Sequence, residues 1–377
     1  VKTHDYHVFL FEGVTGSGKT EVYLKSIAAC LSRQKQVLML VPEIGLTPQT
    51  LARFSARFNT PIAVLHSDLS PKARARIWLD AQSGRTPIVI GTRSAIFAPL
   101  PALGLIIIDE EHDASFKQQS QCRYSARDIA LVRAKFDNVP VLLGSATPSL
   151  ETLFNVRQGR YTRLLLPHRA GLAKKARHHL MDLRKETLQA GLSQETLSKM
   201  REHLRDKGQI LLFLNRRGFA PVLLCHACGE KTQCPRCDAL MTLHTKPHCL
   251  RCHHCERRQS VPRICTACQQ SELVPVGQGT ARIEEALTNL FPDARILRID
   301  RDVIKTKQSW AEKLHAIRSH AVDIVVGTQM ISKGHHFPHL TCSVIVDADS
   351  GLWSLDFRAL ERMAQQIIQV GGRAGRV

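Results

Sequence analysis

Short apolar runs alternate along the chain with stretches whose apolar positions recur at helical spacing. The runs predict strands at His7–Phe11, Val37–Val41, Ile62–Leu65, Ile88–Gly91, Leu105–Ile108 and Val139–Gly144, and Glu21–Ser32 and Pro48–Phe58 carry amphipathic helical patterns between them. Runs that are apolar at successive positions suit strands buried on both faces, so the alternation predicts a parallel sheet covered on both sides. The pattern pauses at Leu166–Arg184, a basic, mixed stretch that reads as a linker. It resumes at Ile210–Leu214 and is then interrupted by a cysteine-rich block. A helix near Ile283–Leu290, strands at Ile296–Ile299, Asp323–Gly327 and Ser343–Asp347, and a closing helix near Ala359–Val370 follow. The expectation is an α/β protein with one parallel-sheet lobe over 1–165, a linker over 166–185 and a second lobe over 186–377. The block at 225–268 is inserted after the second lobe's first strand. The two lobes are expected to repeat in architecture, although no sequence repeat is visible beyond C-x-x-C pairs and no segment is of low complexity.

Length agrees with more than one core, since 377 residues exceed what a single one usually organises. No apolar run approaches the ~20 residues that cross a bilayer, so no membrane partner is expected. The chain starts at Val1 without an initiator methionine and stops directly after a motif, so a fragment is expected. Charge adds a partner class: 52 Lys and Arg against 33 Asp and Glu leave a net +19. Such a surface favours a polyanion, most simply nucleic acid, because each neutralised phosphate releases counterions. Nine of the 12 cysteines fall between Cys225 and Cys268. A disulfide framework would spread them through a small secreted domain, whereas repeated C-x-x-C in a long chain points to reduced thiolates on zinc and a cytosolic setting.

The sharpest local signal is GVTGSGKT at 13–20, which fits G-x-x-x-x-G-K-[ST] at every position. Gly13, Gly16 and Gly18 let the backbone curl so that its N–H groups point at phosphate oxygens. Lys19 reaches the β and γ phosphates, and Thr20 offers a hydroxyl to Mg²⁺. The run LGLIIIDEEH places Asp109 at the carboxyl edge of a buried strand, where Mg²⁺ coordination needs it. Glu110 is then placed to orient and deprotonate an attacking water, and Glu111 and His112 to couple to neighbouring loops. Near the end of the chain, QVGGRAGR supplies Arg373 and Arg376 as cations for the charge that develops in phosphoryl transfer. Within the cysteine block, Cys225/Cys228, Cys234/Cys237, Cys252/Cys255 and Cys265/Cys268 make two Cys₄ zinc sites. Cys249 can equally be drawn with Cys252, His226, His253 and His254 flank the pairs, and spacing leaves the connectivity open. Closed Cys₄ sites leave no open position for zinc chemistry, so the module is expected to guide DNA, separate strands or dock partners. Arg236, Arg251, Arg257, Arg258 and Arg263 suit DNA contact or solubility.

In chain order, GVTGSGKT, VPEIGLTPQ (41–49), GTRSA (91–95), DEEH (109–112), GSATPS (144–149), FLNRRG (213–218), GTQMISKGHHFP (327–338) and QVGGRAGR resemble the motif series of superfamily 2 helicases. The cysteine block after FLNRRG, with GTQMISKGHHFP, is similar to that of the bacterial primosomal replication-restart helicases. The resemblance covers nearly the whole chain. It implies two RecA-like lobes with ATP in the cleft and single-stranded DNA across the top. It also implies ATP-driven 3′-to-5′ movement at forks and D-loops, and replisome reloading with single-stranded DNA-binding protein and other primosome proteins.

By motif, Lys19, Thr20, Asp109, Glu110, Gln369, Arg373 and Arg376 take nucleotide roles, and Ser145 and Thr147 link hydrolysis to lobe movement. Thr92, Arg93, Arg216 and Lys333 are the implied DNA-backbone contacts. The stretch 115–128 is the implied DNA-sensing loop, with Phe116 and Tyr124 placed to stack on bases, or with Tyr124 packed in the core instead. The resemblance also implies nested zinc pairing: Cys234, Cys237, Cys252 and Cys255 inside, Cys225, Cys228, Cys265 and Cys268 outside, with Cys249 spare. Three departures stand out. The upstream glutamine element that reads adenine and the family's N-terminal domains are absent from this chain, and Ala281 stands where an acidic residue is common. Two other readings compete with an ATP-dependent DNA helicase. One is another superfamily 2 translocase; the other is a zinc-stapled DNA-binding platform that uses ATP as a latch.

Overall fold

The computed structural model describes residues 5–42, 48–67, 69–120, 122–169, 176–184, 186–214, 222–237, 239–245, 248–252, 255–271, 273–276, 280–300, 303–304, 306–328, 331, 337–353 and 356–374. The chain divides into two compact units, Val1–Leu172 and Ala173–Val377. Among the described residues, no helix is long and apolar enough to cross a membrane.

The first unit contains strands β1 (Val8–Gly13), β2 (Gln36–Leu40), β3 (Ile62–Leu65), β4 (Ile88–Gly91), β5 (Leu103–Asp109), β6 (Val141–Ser145) and β7 (Thr162–Leu166). They form one parallel sheet in the order β3-β4-β2-β5-β6-β1-β7. Helices α1 (Lys19–Leu31), α2 (Pro48–Arg57), α3 (Pro71–Gln82), α4 (Ala126–Phe136) and α5 (Leu150–Arg157) connect the strands. The unbroken apolar runs follow from burial on both sides. Leu38, Leu40, Ile106 and Ile108 enter one core, while Val37, Met39, Leu105 and Ile107 enter the other. Ser70, Ser125 and Ser149 cap α3, α4 and α5 by accepting first-turn N–H groups. Gly18, which precedes α1, supplies no side-chain cap.

The edge strand β7 is absent from the apolar pattern because its residues are exposed or half-buried, with Arg163 reaching out to Glu12 at 2.8 Å. Leu166, the first residue of the expected linker, instead closes this strand.

The second unit holds α6 (Gln194–Arg205), β8 (Gln209–Leu214), β9 (Val222–Cys225), β10 (Thr242–Thr245), β11 (His248–Arg251), β12 (Arg258–Gln259) and β13 (Leu273–Val276). It continues with α7 (Thr280–Leu290), β14 (Ile296–Ile299), α8 (Lys307–Arg318), β15 (Ile324–Gly327), β16 (Leu340–Val346) and α9 (Ala359–Gly371). Its main sheet is parallel, in the order β14-β15-β8-β16. The cysteine module carries two small antiparallel sheets, β13-β9 and β10-β11-β12.

The repeat extends to details. The order β14-β15-β8-β16 reproduces β3-β4-β2-β5, and both central pairs carry the same one-residue irregularity. Gln36 faces Leu103 and Val37 faces Leu105; Gln209 faces Leu340 and Ile210 faces Cys342. Each glutamine is buried at the start of its central strand and donates its amide to two carbonyls on the approach to the strand beside it, β4 or β15. Gln36 reaches Ala81 O and Thr86 O at 2.8 and 3.2 Å; Gln209 reaches Ile317 O and Val322 O at 3.0 and 2.7 Å. The residues after the outer strand also match: Glu110 and Asp347 are both left-handed, at φ 50° and 54°.

Candidate functional site

The phosphate loop joins β1 to α1. Gly16 and Gly18 sit at φ 83° and 86°, a conformation that a Cβ disfavours. Gly13 is glycine for another reason: a Cβ there would lie 2.5 Å from Ser17 Oγ and 2.9 Å from Lys19 Cγ. Lys19 Nζ donates to Gly13 O at 2.7 Å, folding its ammonium back over the loop. Thr20 is the second residue of the uncapped α1, so the loop and first turn offer N–H groups, an ammonium and a hydroxyl together. Ser17 Oγ is buried without a hydrogen-bond partner among the described residues.

The acids come from the end of β5. Asp109 is the last residue of that strand and lies opposite Gly144 of β6. Tyr23, fully buried on α1, donates its hydroxyl to Asp109 Oδ1 at 2.9 Å, and the Glu110 N–H donates to the same oxygen at 3.1 Å. Only glycine fits at 144, because a Cβ would meet Tyr23 Oη at 1.6 Å. Burial, then the adjacent Glu110 charge, push the Asp109 carboxyl up to about 6, against the opposing pull of Lys19 and of the Tyr23 and Glu110 donors. A bound divalent cation would favour its charged form. Glu110 Oε2 is buried with no hydrogen-bond partner among the described residues, and His112 Nδ1 lies 3.6 Å away, beyond hydrogen-bond reach. Two orphaned oxygens, a raised carboxylate and an uncapped helix start fit a magnesium–nucleotide phosphate group.

The next two residues wire these acids to β6 and α5. Glu111 is buried and accepts from Ser149 N at 2.7 Å, Ser149 Oγ at 3.0 Å, Thr152 Oγ1 at 3.0 Å and Arg127 Nη1 at 3.0 Å. His112 Nδ1 lies 2.8 Å from Ser145 Oγ, which also accepts from Thr147 N at 2.9 Å. The coupling read from the sequence for Glu111 and His112 is therefore direct bonding to the 144–149 segment. Tyr23 and Arg127 were not legible as site residues. The only advance signal for Tyr23 is its place one helical turn after Lys19, and nothing in the sequence marks Arg127.

The stretch 115–128 begins with a 3₁₀ turn at Ala114–Phe116 and closes through a Gln118 N–H donated to Tyr124 O at 2.8 Å. Arg93 Nη1 donates to Ser115 O at 3.0 Å and Lys117 O at 3.1 Å, so the guanidinium braces this loop. Thr92 is buried, and its N–H is bound to Leu65 O at 3.0 Å. Of the two aromatic readings, the structure takes packing: Phe116 is buried in the core, and Tyr124 is half-buried edge-on to Phe97, with centroids 5.2 Å apart.

In the second unit, Gln369 and Arg373 are buried at the end of α9. Arg216, Lys333 and Arg376 lie outside the described residues, as do His253 and His254.

The cysteines fall into two groups of four: Cys225, Cys228, Cys265 and Cys268, and Cys234, Cys237, Cys252 and Cys255. Across each group the Sγ atoms stand 3.5–3.7 Å apart for Cys225–Cys268, Cys228–Cys265, Cys234–Cys255 and Cys237–Cys252. Four sulfurs each about 2.3 Å from zinc make a tetrahedron with edges of about 3.8 Å, whereas a disulfide would need about 2.05 Å. Two Cys₄ sites therefore fit Zn²⁺. Cys249 lies on β11 opposite His244 and belongs to neither group, and His226 instead contacts the carbonyl of Glu186. The cysteine module also buries apolar side chains of its own, with Leu223, Ala239, Met241 and Leu250 packed around Cys234 and Cys252.

A phosphate loop after β1, paired acids at the end of β5 and a parallel sheet define the first unit as the RecA-like nucleotide-binding fold of helicases. Residues 3–156 match the DEAD/DEAH box helicase family, and residues 234–259 match the PriA DNA helicase Cys-rich region (CRR) domain. The replication restart protein PriA of Haemophilus influenzae is 53% identical over 371 residues, 98% of this chain and 51% of that protein. PriA of Bacillus subtilis is 42% identical over 375 residues, 99% of this chain and 47% of that protein. The chain belongs to the PriA family, and spans about half the length of these relatives. Among solved structures, the DUF1998 helicase MrfA bound to DNA has a TM-score of 0.55 at 15% identity, covering 98% of this chain and 42% of that one. RecG bound to a three-way DNA junction has a TM-score of 0.51 at 18% identity, covering 97% of this chain and 38% of that one. At such identities the likeness is one of fold.

Proposed function

We propose that this chain is the motor of an ATP-dependent DNA helicase of replication restart, moving 3′ to 5′ on forks and D-loops. In this reading it promotes primosome assembly and replisome reloading in the cytoplasm, together with single-stranded DNA-binding protein and other primosome proteins. The observation that carries the reading is the gathering of Lys19, Asp109 and the orphaned Glu110 carboxylate at one sheet's carboxyl edge.

Gly13, Gly16 and Gly18 shape the loop around the phosphates, and Lys19 leaves the Gly13 carbonyl for the β and γ oxygens. Thr20 and Asp109 hold the magnesium ion, which when bound offsets the phosphates' negative charge. Glu110 orients the attacking water and takes its proton, while Tyr23 fixes the Asp109 carboxylate beside it. Gln369, Arg373 and Arg376, from the lobe formed by residues 186–377, supply the polar and cationic groups that complete the site around the transferring phosphoryl group. The lobe formed by residues 1–165 holds the loop and acids, and residues 166–185 connect the two. Thr92, Arg93, Arg216 and Lys333 track the DNA backbone, and the eight clustered cysteines hold two zinc ions.

The test is ATP turnover by the chain with and without forked DNA. The expected outcome is turnover that rises on adding DNA and disappears in Lys19→Ala. Equal turnover in that variant would end the phosphate-loop assignment. Turnover indifferent to DNA would favour the platform that uses ATP only as a latch.

A further inference from the structure

Lysine is almost never fully buried without a partner, because its ammonium loses its hydration. Lys231 of the cysteine module is 6% exposed. It lies in sequence between the two metal clusters, after Cys228 and before Cys234, and bridges to Leu224 of β9. Its Nζ stands 3.4 Å from Asp347 Oδ1 and 3.5 Å from Asp349 Oδ2. Neither acid belongs to the module. Asp347 follows the last residue of β16, and Asp349 lies in the 3₁₀ turn Ala348–Trp353 that leads to α9.

The internal repeat gives this place a meaning. By register, Val346 of β16 stands where Asp109 stands on β5, and the left-handed Asp347 stands where the left-handed Glu110 stands. In the first unit this edge gathers acids suited to a cation. In the second, the same edge has lost one acid to Val346 and receives an ammonium from the module. Burial pushes the Asp347 carboxyl up, and the Lys231 charge opposes that push. The turn beyond is close-packed on α9: a Cβ at Gly351 would lie 2.8 Å from Met363 Cβ and 3.2 Å from Ala359 O. A displacement at Asp349 therefore reaches α9, which carries Gln369 and leads into Arg373.

We infer that Lys231 is a positioning residue: its ammonium takes the cation's place at the second sheet's edge, seats the cysteine module there, and couples the module to α9. The functional half of this inference rests on the DNA-motor reading; the seating half does not.

The experiment compares the unmodified full chain with Lys231→Met, Lys231→Arg, Asp347→Asn and the Lys231→Met/Asp347→Asn pair. Zinc content, basal ATP turnover, stimulation by forked DNA and amide exchange are measured on each. Lys231→Met should keep both metals and its basal turnover, while stimulation falls about tenfold, the scale of a coupling between sites. Exchange should quicken at 222–225 and 347–353. Lys231→Arg should restore most of the stimulation, and the double variant should be no worse than Lys231→Met, since both remove one interaction. Full stimulation and unchanged exchange in Lys231→Met would overturn the inference, as would additive effects in the pair. If Lys231→Met instead loses zinc, the milder Asp349→Asn decides: exchange there like the unmodified chain's overturns it, and quickened exchange upholds it. An unmodified chain that ignores DNA would count against the motor reading alone, because the exchange comparison still decides the seat.

Discussion

Tyr23 shows how one side chain ties three functional segments together. Its ring lies against Gly144 of β6, its hydroxyl holds Asp109 of β5, and its helix begins at Lys19. Gly144→Ala would force the ring aside and should cost about 3 kcal/mol, the upper end for overpacking a tight core. Urea denaturation checks this, and a midpoint unchanged from the unmodified chain would contradict it. Tyr23→Phe removes only the donor and should cost about 1 kcal/mol. ATP turnover should fall with it, because the carboxylate loses the group that fixes it. The buried Glu111 is a second such node. Glu111→Ala takes its carboxylate partner from the Arg127 guanidinium, which is 16% exposed and keeps only Ser149 Oγ and Asp128, and should lower stability by about 2 kcal/mol. The acids were legible because their motif is local. The tyrosine was not, since its partner is 86 residues away and only the folded sheet brings them together.

At the scale of elements, the inner strands were legible because burial on both faces demands an apolar residue at every position. An edge strand such as β7 has no such demand: its five residues open with the polar Thr162 and Arg163, and only the last three are apolar. The glutamine clamps were hidden for another reason: a lone polar residue at a strand's start reads as a boundary. Gln36→Ala and Gln209→Ala leave equivalent carbonyls without their amide, but Gln36 Oε1 also accepts the Ala102 N–H at 3.1 Å, whereas Gln209 Oε1 is buried without a hydrogen-bond partner among the described residues. Gln36→Ala should therefore cost about 2 kcal/mol and Gln209→Ala about 1 kcal/mol; thermal denaturation checks this, and a larger loss at Gln209 would refute it. The cysteine module depends on metal more than on its four-residue apolar centre. A strong chelator should release two zinc ions per chain and abolish exchange protection over 222–276, while β1–β7 keep theirs. Protection that survives metal removal would show that the small core suffices.

For the whole molecule, a net charge of +19 predicts that the DNA affinity of the proposed motor falls steeply with salt. Arg93 distinguishes binding from response. Its Nη1 is committed to two carbonyls of the 115–128 loop, so Arg93→Ala should lower DNA-stimulated turnover more than DNA affinity. Titrations at several salt concentrations, run beside turnover on the same samples, check this; an equal fall in both would make Arg93 chiefly a phosphate contact.

The two cysteine sets also imply an order of assembly. All ligands of one set lie within 234–255, whereas the other must wait for Cys265 and Cys268 and close a longer loop around it. A nascent chain leaving the ribosome can thus complete its first tetrahedron while two ligands of the second still lie inside the exit tunnel.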